Sequence, residues 1–136
     1  MILKNSLYIA YTDGGSRGNP GKSASAFVVY DQEGVEVLKE AVYLGISTNN
    51  SAEYQALRLC LEKCVEVGIS KIKVLSDSEL MVKQIKGLYQ VKDTNLLKLF
   101  LEVKKLIAKF QSFEISHIKR AENKVADLLV NQKLDE

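Results

Sequence analysis

The chain has 136 residues, 46% of them apolar and 26% charged, which suits one globular domain over residues 1–136 and leaves too little material for a second core. No apolar run approaches the roughly 20 residues a membrane span requires. The first residues reach Thr12 and Asp13 without a cleavage-like site, so a cytoplasmic protein with no membrane association is expected.

The first predicted element is a strand. Leu7, Ile9 and Tyr11 alternate with Tyr8, Ala10 and Thr12, which predicts Ser6 to Thr12 as a strand with both faces mostly covered and Asp13 at its end. The run Asp13-Gly-Gly-Ser-Arg-Gly-Asn-Pro-Gly21 holds the sole proline and reads as a loop. Ala24 to Tyr30 and Val35 to Tyr43, divided by Asp31-Gln-Glu-Gly34, read as a hairpin that completes a three-stranded meander. From Asn50 the period becomes helical, with Leu57, Cys60, Leu61, Cys64 and Val65 on one stripe and Gly68 as the stop. The two cysteines and the lone His117 fall one ligand short of a closed zinc site, so the cysteines read as buried helix residues.

Ile72 to Leu75 is a short buried strand and Ser78 to Ile85 a short helix. Leu96, Leu99, Phe100, Val103, Leu106, Ile107 and Phe110 make an amphipathic helix with its lysines largely off the apolar face. Phe113 to Ile118 alternates as a fifth strand, and Asn123 caps a last helix carrying Val125, Ala126, Leu129 and Val130. The order βββαβααβα implies an α/β fold. Strands one, four and five are joined through helices and should be parallel, with strands two and three added antiparallel at the edge and helices flanking the sheet. Ligand sites in such sheets lie at carboxyl ends of strands where the connection direction reverses.

Asp13 and Asp77 fall at those ends, Glu53 in the first turn of the long helix and Asp127 early in the last one. Each has an ordinary explanation. Asp13-Gly14 is turn chemistry, Asn50 with Glu53 fits a capping box, Asp77 suits an N-cap, and Asp127 suits a helix dipole. Brought to one edge, the four would repel and raise each other's pKa unless cations neutralise them. Oxygen-only ligands suit Mg²⁺, with Mn²⁺ as the alternative, and paired ions roughly 4 Å apart are used for phosphodiester cleavage. The charge pattern agrees. Net charge is only +2, yet residues 83–124 hold ten Lys/Arg against four Asp/Glu, which suits a polyanion gripped by one region.

Four runs in order, Asp13 to Gly21, Thr48-Asn-Asn-Ser-Ala-Glu53, Val74-Leu-Ser-Asp77-Ser78 and Arg120-Ala-Glu-Asn-Lys-Val-Ala-Asp127, resemble type 1 ribonuclease H over residues 7 to 130. The resemblance implies the ribonuclease H-like fold and an endonuclease that cuts the RNA strand of RNA/DNA hybrids. It implies that Asp13, Glu53, Asp77 and Asp127 are catalytic and hold two metal ions, leaving 5′-phosphate and 3′-hydroxyl ends. Asn19, Thr48, Asn49 and Asn50 match positions that touch the hybrid, and Gly14, Gly15, Ser16 and Ser78 are expected contacts in the same motifs.

The bacterial members best known carry a loop histidine before the last helix and a basic helical protrusion. Here Lys119-Arg-Ala-Glu122 occupies the first stretch, with His117 inside the strand before it, and Lys86 to Asp93 is a short connection in place of the second. The shorter form resembles archaeal and some bacterial members. Arg120 is assigned to positioning a phosphate or speeding product departure, and Lys104 and Lys105 to holding backbone phosphates without reading sequence. A monomer is expected. The competing readings are a nuclease of the same superfamily acting on double-stranded RNA or DNA junctions, and a non-catalytic nucleic-acid-binding module of the same fold.

Overall fold

In the computed structural model, which describes residues 2–136, the alternating first third becomes an antiparallel ladder. β1 (Leu7–Arg17) pairs with β2 (Gly21–Tyr30), and β2 with β3 (Glu36–Ser47). Helix α1 (Asn49–Val67) leads to β4 (Lys71–Ser76), and α2 (Glu79–Ile85) and α3 (Thr94–Ile107) lead to β5 (Ser112–His117). A single 3₁₀ turn at Arg120–Glu122 precedes α4 (Lys124–Leu134). The sheet order is β3-β2-β1-β4-β5, with β1, β4 and β5 parallel, as the connection argument requires.

The glycine-rich run is not a loop. Asp13 to Arg17 continues β1 against Lys22 to Ala26, and only Gly18, Asn19 and Pro20 turn. The ladder wins over turn composition because Gly14 and Gly15 pair in register with Ser25 and Ala24. Gly18, at φ 90°, supplies the reversal that composition spread over the whole run. β3 likewise runs four residues past Tyr43, carried through Gly45, which pairs with Ser23 beside a register shift.

α1 begins one residue earlier than its periodicity indicated. Its cap is Thr48, whose hydroxyl accepts from the Ser51 amide at 3.2 Å, so the Asn50/Glu53 capping box is not formed. Gly68, at φ 90°, ends the helix as expected. The cap of α2 is Ser78, which accepts from the Met81 amide, and this leaves the Asp77 carboxylate free of that duty.

The main core lies between the sheet and α1, built from Tyr8, Ala10, Phe27, Leu57, Leu61 and Val74, with α3 closing its outer side through Leu96 and Val103. Cys60 and Cys64 are free thiols within it, and the hydrogen bond with Cys64, then burial, push the Cys60 thiol up. A smaller cluster of Ala24, Ala26 and Val130 fixes α4 to the opposite face. Helices thus cover both faces. Among the described residues no helix is long and apolar enough to cross a membrane.

Candidate active site

Register places the first two carboxylates. Pairing between β1 and β4 ends at Thr12 with Ser76, so Asp13 and Asp77 are the next residues on neighbouring strands about 4.8 Å apart. β1 alone continues beyond this point, peeling toward β2, and the sheet opens into a cleft.

Gly14 sets the third. A Cβ on it would lie 2.2 Å from the Ala52 carbonyl carbon and 2.4 Å from the Glu53 nitrogen, so only glycine lets the first turn of α1 come this close. Ser25 holds the same turn from the other side, its hydroxyl donating to the Ala52 carbonyl at 2.6 Å. Glu53 is thereby brought over Asp13. One carboxylate oxygen from each of Asp13, Glu53 and Asp77 lies within 4.8 Å of the others.

Asp127 stands beside Asp13 rather than within that trio, and it arrives on α4. Asn123, just ahead of α4, does not cap it with its side chain. Its Nδ2 instead donates at 2.9 Å to the carbonyl of Thr12, the residue before Asp13, and Asn123 is 1% exposed. One buried hydrogen bond therefore ties the helix that carries Asp127 to the strand that carries Asp13.

Four acids in one place distort each other's protonation. Asp13 is 6% exposed, and its carboxyl is pushed up to about 8, first by burial, then by the charges of Asp77 and Asp127. The Glu53 carboxyl is also raised well above the usual range by burial and by Asp13 and Asp77, with the Gly14 amide partly offsetting both shifts. Glu53 Oε1 is buried with no hydrogen-bond partner. A buried, unpartnered carboxylate oxygen facing two more acids is costly in the protein alone and suits a hard cation. The all-oxygen donor set fits Mg²⁺ or Mn²⁺ and excludes the thiolate-rich chemistry of a structural zinc site.

The cleft, of ≈ 460 Å³, is lined by the four carboxylates together with Gly14, Gly15, Ser16, Asn49 and Arg120. Arg120 is exposed, with Nη2 3.5 Å from Asp127 Oδ1. The remaining expected contacts stand outside the lining. Asn19 accepts the Asn49 amide at 3.0 Å, while Asn49 Oδ1 accepts the Ser16 amide at 2.8 Å, which locks the β1–β2 turn to the start of α1. Thr48 and Ser78 serve as the caps described above, and Asn50 lies exposed in the first turn of α1. Lys104 and Lys105 lie in the last turn of α3, which feeds the start of β5 and so the sheet end opposite the carboxylates. His117 ends β5 beside Ser76, is exposed and is not part of the lining.

Two residues of consequence were not read for what they do. Arg17 lines the cleft because β1 runs on past the glycines. Asn123 was expected to cap α4 with its side chain and does not; its side chain bonds instead to Thr12, 111 residues away in sequence.

A mixed five-stranded sheet in this order, with helices on both faces and acids where its parallel and antiparallel halves part, defines the ribonuclease H-like class. A family model described as reverse transcriptase-like matches residues 11–133. The chain is 38% identical over 127 residues to a protein of Halobacterium salinarum named Ribonuclease HI, a match that spans 93% of this chain and 64% of that protein. Among solved structures, the N-terminal RNase H domain of a Mycobacterium tuberculosis protein superposes with a TM-score of 0.93 at 35% identity, covering 96% of this chain and 95% of that one. LC11-RNase H1, solved in complex with RNA/DNA hybrid, superposes with a TM-score of 0.87 at 37% identity over 92% and 94% of the two chains. The chain belongs to the type 1 ribonuclease H family. It spans 64% of the length of the Halobacterium protein and 34% of the longer mycobacterial one.

Proposed function

We propose that residues 1–136 act as one catalytic domain, a metal-dependent endonuclease that hydrolyses the RNA strand of RNA/DNA hybrids to 5′-phosphate and 3′-hydroxyl ends. The observation that carries this reading is the convergence of Asp13, Glu53 and Asp77 within 4.8 Å, with Asp127 beside them. Family membership and the hybrid bound by LC11-RNase H1 support the substrate.

Asp13, Glu53, Asp77 and Asp127 would hold two divalent ions, Asp13 serving both, with Glu53 and Asp77 on one side and Asp127 on the other. Such ions, when bound, supply Lewis-acid activation of water and charge neutralisation at the scissile phosphate. The protein's part is to fix the acids before substrate arrives. Gly14 and Ser25 set Glu53, the end of β1–β4 pairing sets Asp13 and Asp77, and Asn123 sets Asp127. Ribose would be distinguished by its 2′-hydroxyl, contacted by Glu53 and the amides at Asn49 and Asn50 at the start of α1. Gly14, Gly15 and Ser16 in the cleft lining would contact the hybrid, with Asn19, Thr48 and Ser78 beyond the lining as further contacts, and Arg120 would meet a phosphate beside Asp127. All four acids come from one chain, which supports a monomer.

Cleavage of labelled RNA/DNA hybrid, double-stranded RNA and double-stranded DNA, with and without Mg²⁺, tests the reading. The expected result is Mg²⁺-dependent cutting of the hybrid's RNA strand. Cutting of double-stranded RNA or DNA in preference would overturn the substrate, and binding without any cutting would overturn the enzyme.

A further inference from the structure

We propose that Arg17, Lys22 and Lys133 form a cationic rim that grips backbone phosphates of the nucleic acid in the cleft, and that Asp135 competes with phosphate for Arg17. The inference rests on the functional reading above and extends its binding surface.

A cleft built around four carboxylates repels a polyanion, so its walls must supply cations. Among the described residues Arg17 and Arg120 are the cations in its lining. Arg120 faces Asp127 and so stands over the acids themselves. Arg17 pairs farther along α4, beyond the acids. Its Nη1 lies 2.6 Å from Asp135 Oδ1, and its Nη2 donates to the Asn131 carbonyl at 3.4 Å. The two side chains of the ion pair are 47% and 65% exposed, so water and salt screen the pair and little holds it closed. A phosphate offers the same guanidinium two acceptor oxygens in a matching fork.

The rim continues away from the acids. The cleft lining ends at Leu134, which also lines the adjoining hollow with Lys22, Tyr43, Lys133 and Glu136. Lys22 is the register partner of Arg17 on the β1–β2 hairpin, so both side chains leave the same face of the ladder. Lys133 stands across the hollow, with its Nζ 3.1 Å from Glu136 Oε1. Three cations thus extend from the metal-binding acids along the end of α4, and the two carboxylates beside them are those of Asp135 and Glu136. Contacts of this kind carry no base information, in keeping with a nuclease that reads sugar rather than sequence.

Fluorescence anisotropy of a labelled hybrid in EDTA, which prevents turnover, tests the rim. Arg17→Ala should weaken binding about fivefold at low salt and lower the slope of log affinity against log salt by about 1, as expected for one lost phosphate contact. Asp135→Asn should tighten binding about threefold by removing the competitor, and should do nothing in the Arg17→Ala background. Both positions are exposed, so thermal midpoints near the parent's would show that folding is intact. An Asp135→Asn variant that binds no better than the parent, or an Arg17→Ala variant that binds as well, would overturn the rim even if the parent cleaves hybrid. A parent that binds hybrid but cleaves nothing would overturn the functional reading and leave the rim standing, and a parent that binds no hybrid would overturn both.

Discussion

Asp13 shows what the fold does to one residue. Its carboxyl holds its proton to about pH 8 in the folded protein and to about 3.8 when unfolded, so in the absence of metal folding is favoured at low pH. That contribution is fully present below about pH 4 and fades as pH rises toward 8. Divalent binding has the opposite sign, because it requires the ionised form and releases the proton. Thermal melts in EDTA should therefore lose stability from pH 5 to pH 8, with the loss much reduced in Asp13→Asn. Calorimetric Mg²⁺ affinity of the parent should rise over the same interval. A metal-free melt that is flat across this interval would show that the acids are not packed as described. Asp77→Asn separates chemistry from binding: it would remove a proposed cation ligand and a repulsive charge together. Cleavage should fall below detection while hybrid affinity measured by titration stays equal or improves. Loss of both would point to a folding defect.

At the scale of elements, strand and helix order followed from periodicity, and the parallel pairing of β1, β4 and β5 followed from the helices that join them. The carboxylates were legible because their motifs fall at element ends, where the topology gathers them. Less legible were features decided by distant partners. The glycine-rich run looked like a loop because glycine normally punctuates, yet β2 supplies a continuous ladder for it as far as Arg17. Asn50 looked like part of a cap because Glu53 follows three residues later, yet Thr48 is better placed and Glu53 is spent on the cleft. The docking of α4 was the least legible, since the Asn123 to Thr12 bond has no local signature. It also makes a sharp prediction. Asn123→Ala leaves the Thr12 carbonyl buried without a donor and should cost about 1–3 kcal/mol by denaturant titration. In protein that remains folded, Mg²⁺ affinity should also drop, because Asp127 loses its anchor relative to Asp13. A destabilised variant with unchanged Mg²⁺ affinity would assign the bond to stability alone.

For the whole molecule the question that the proposed function raises is how a chain of net charge +2 would hold a duplex of far higher charge density. Positive charge is concentrated in residues 83–124, yet the structure distributes that segment over the end of α2, α3, β5 and the connections around them, and of its ten cations only Arg120 reaches the cleft lining. Lys104 and Lys105 show the consequence, since both are exposed at the end of α3 that feeds the start of β5. From there they would act on a bound hybrid through the field of the whole protein, and such an effect decays over about 10 Å at 0.1 M salt. Contact and field make different predictions for the same substitution. A phosphate contact would lower the salt slope by about 1 per lysine and would still be felt at moderate salt. A field effect would be visible at low salt and would vanish once the screening length falls below the distance to the duplex. Charge reversal of Lys104 and Lys105 together is therefore expected to weaken hybrid binding at about 20 mM salt and to leave it near the parent's value at about 200 mM, where the screening length is under 8 Å. Anisotropy titrations across that range decide the matter. A defect that persists at the higher salt would place these lysines in direct contact with the duplex, and the duplex would then have to extend along α3 as well as across the carboxylate cleft.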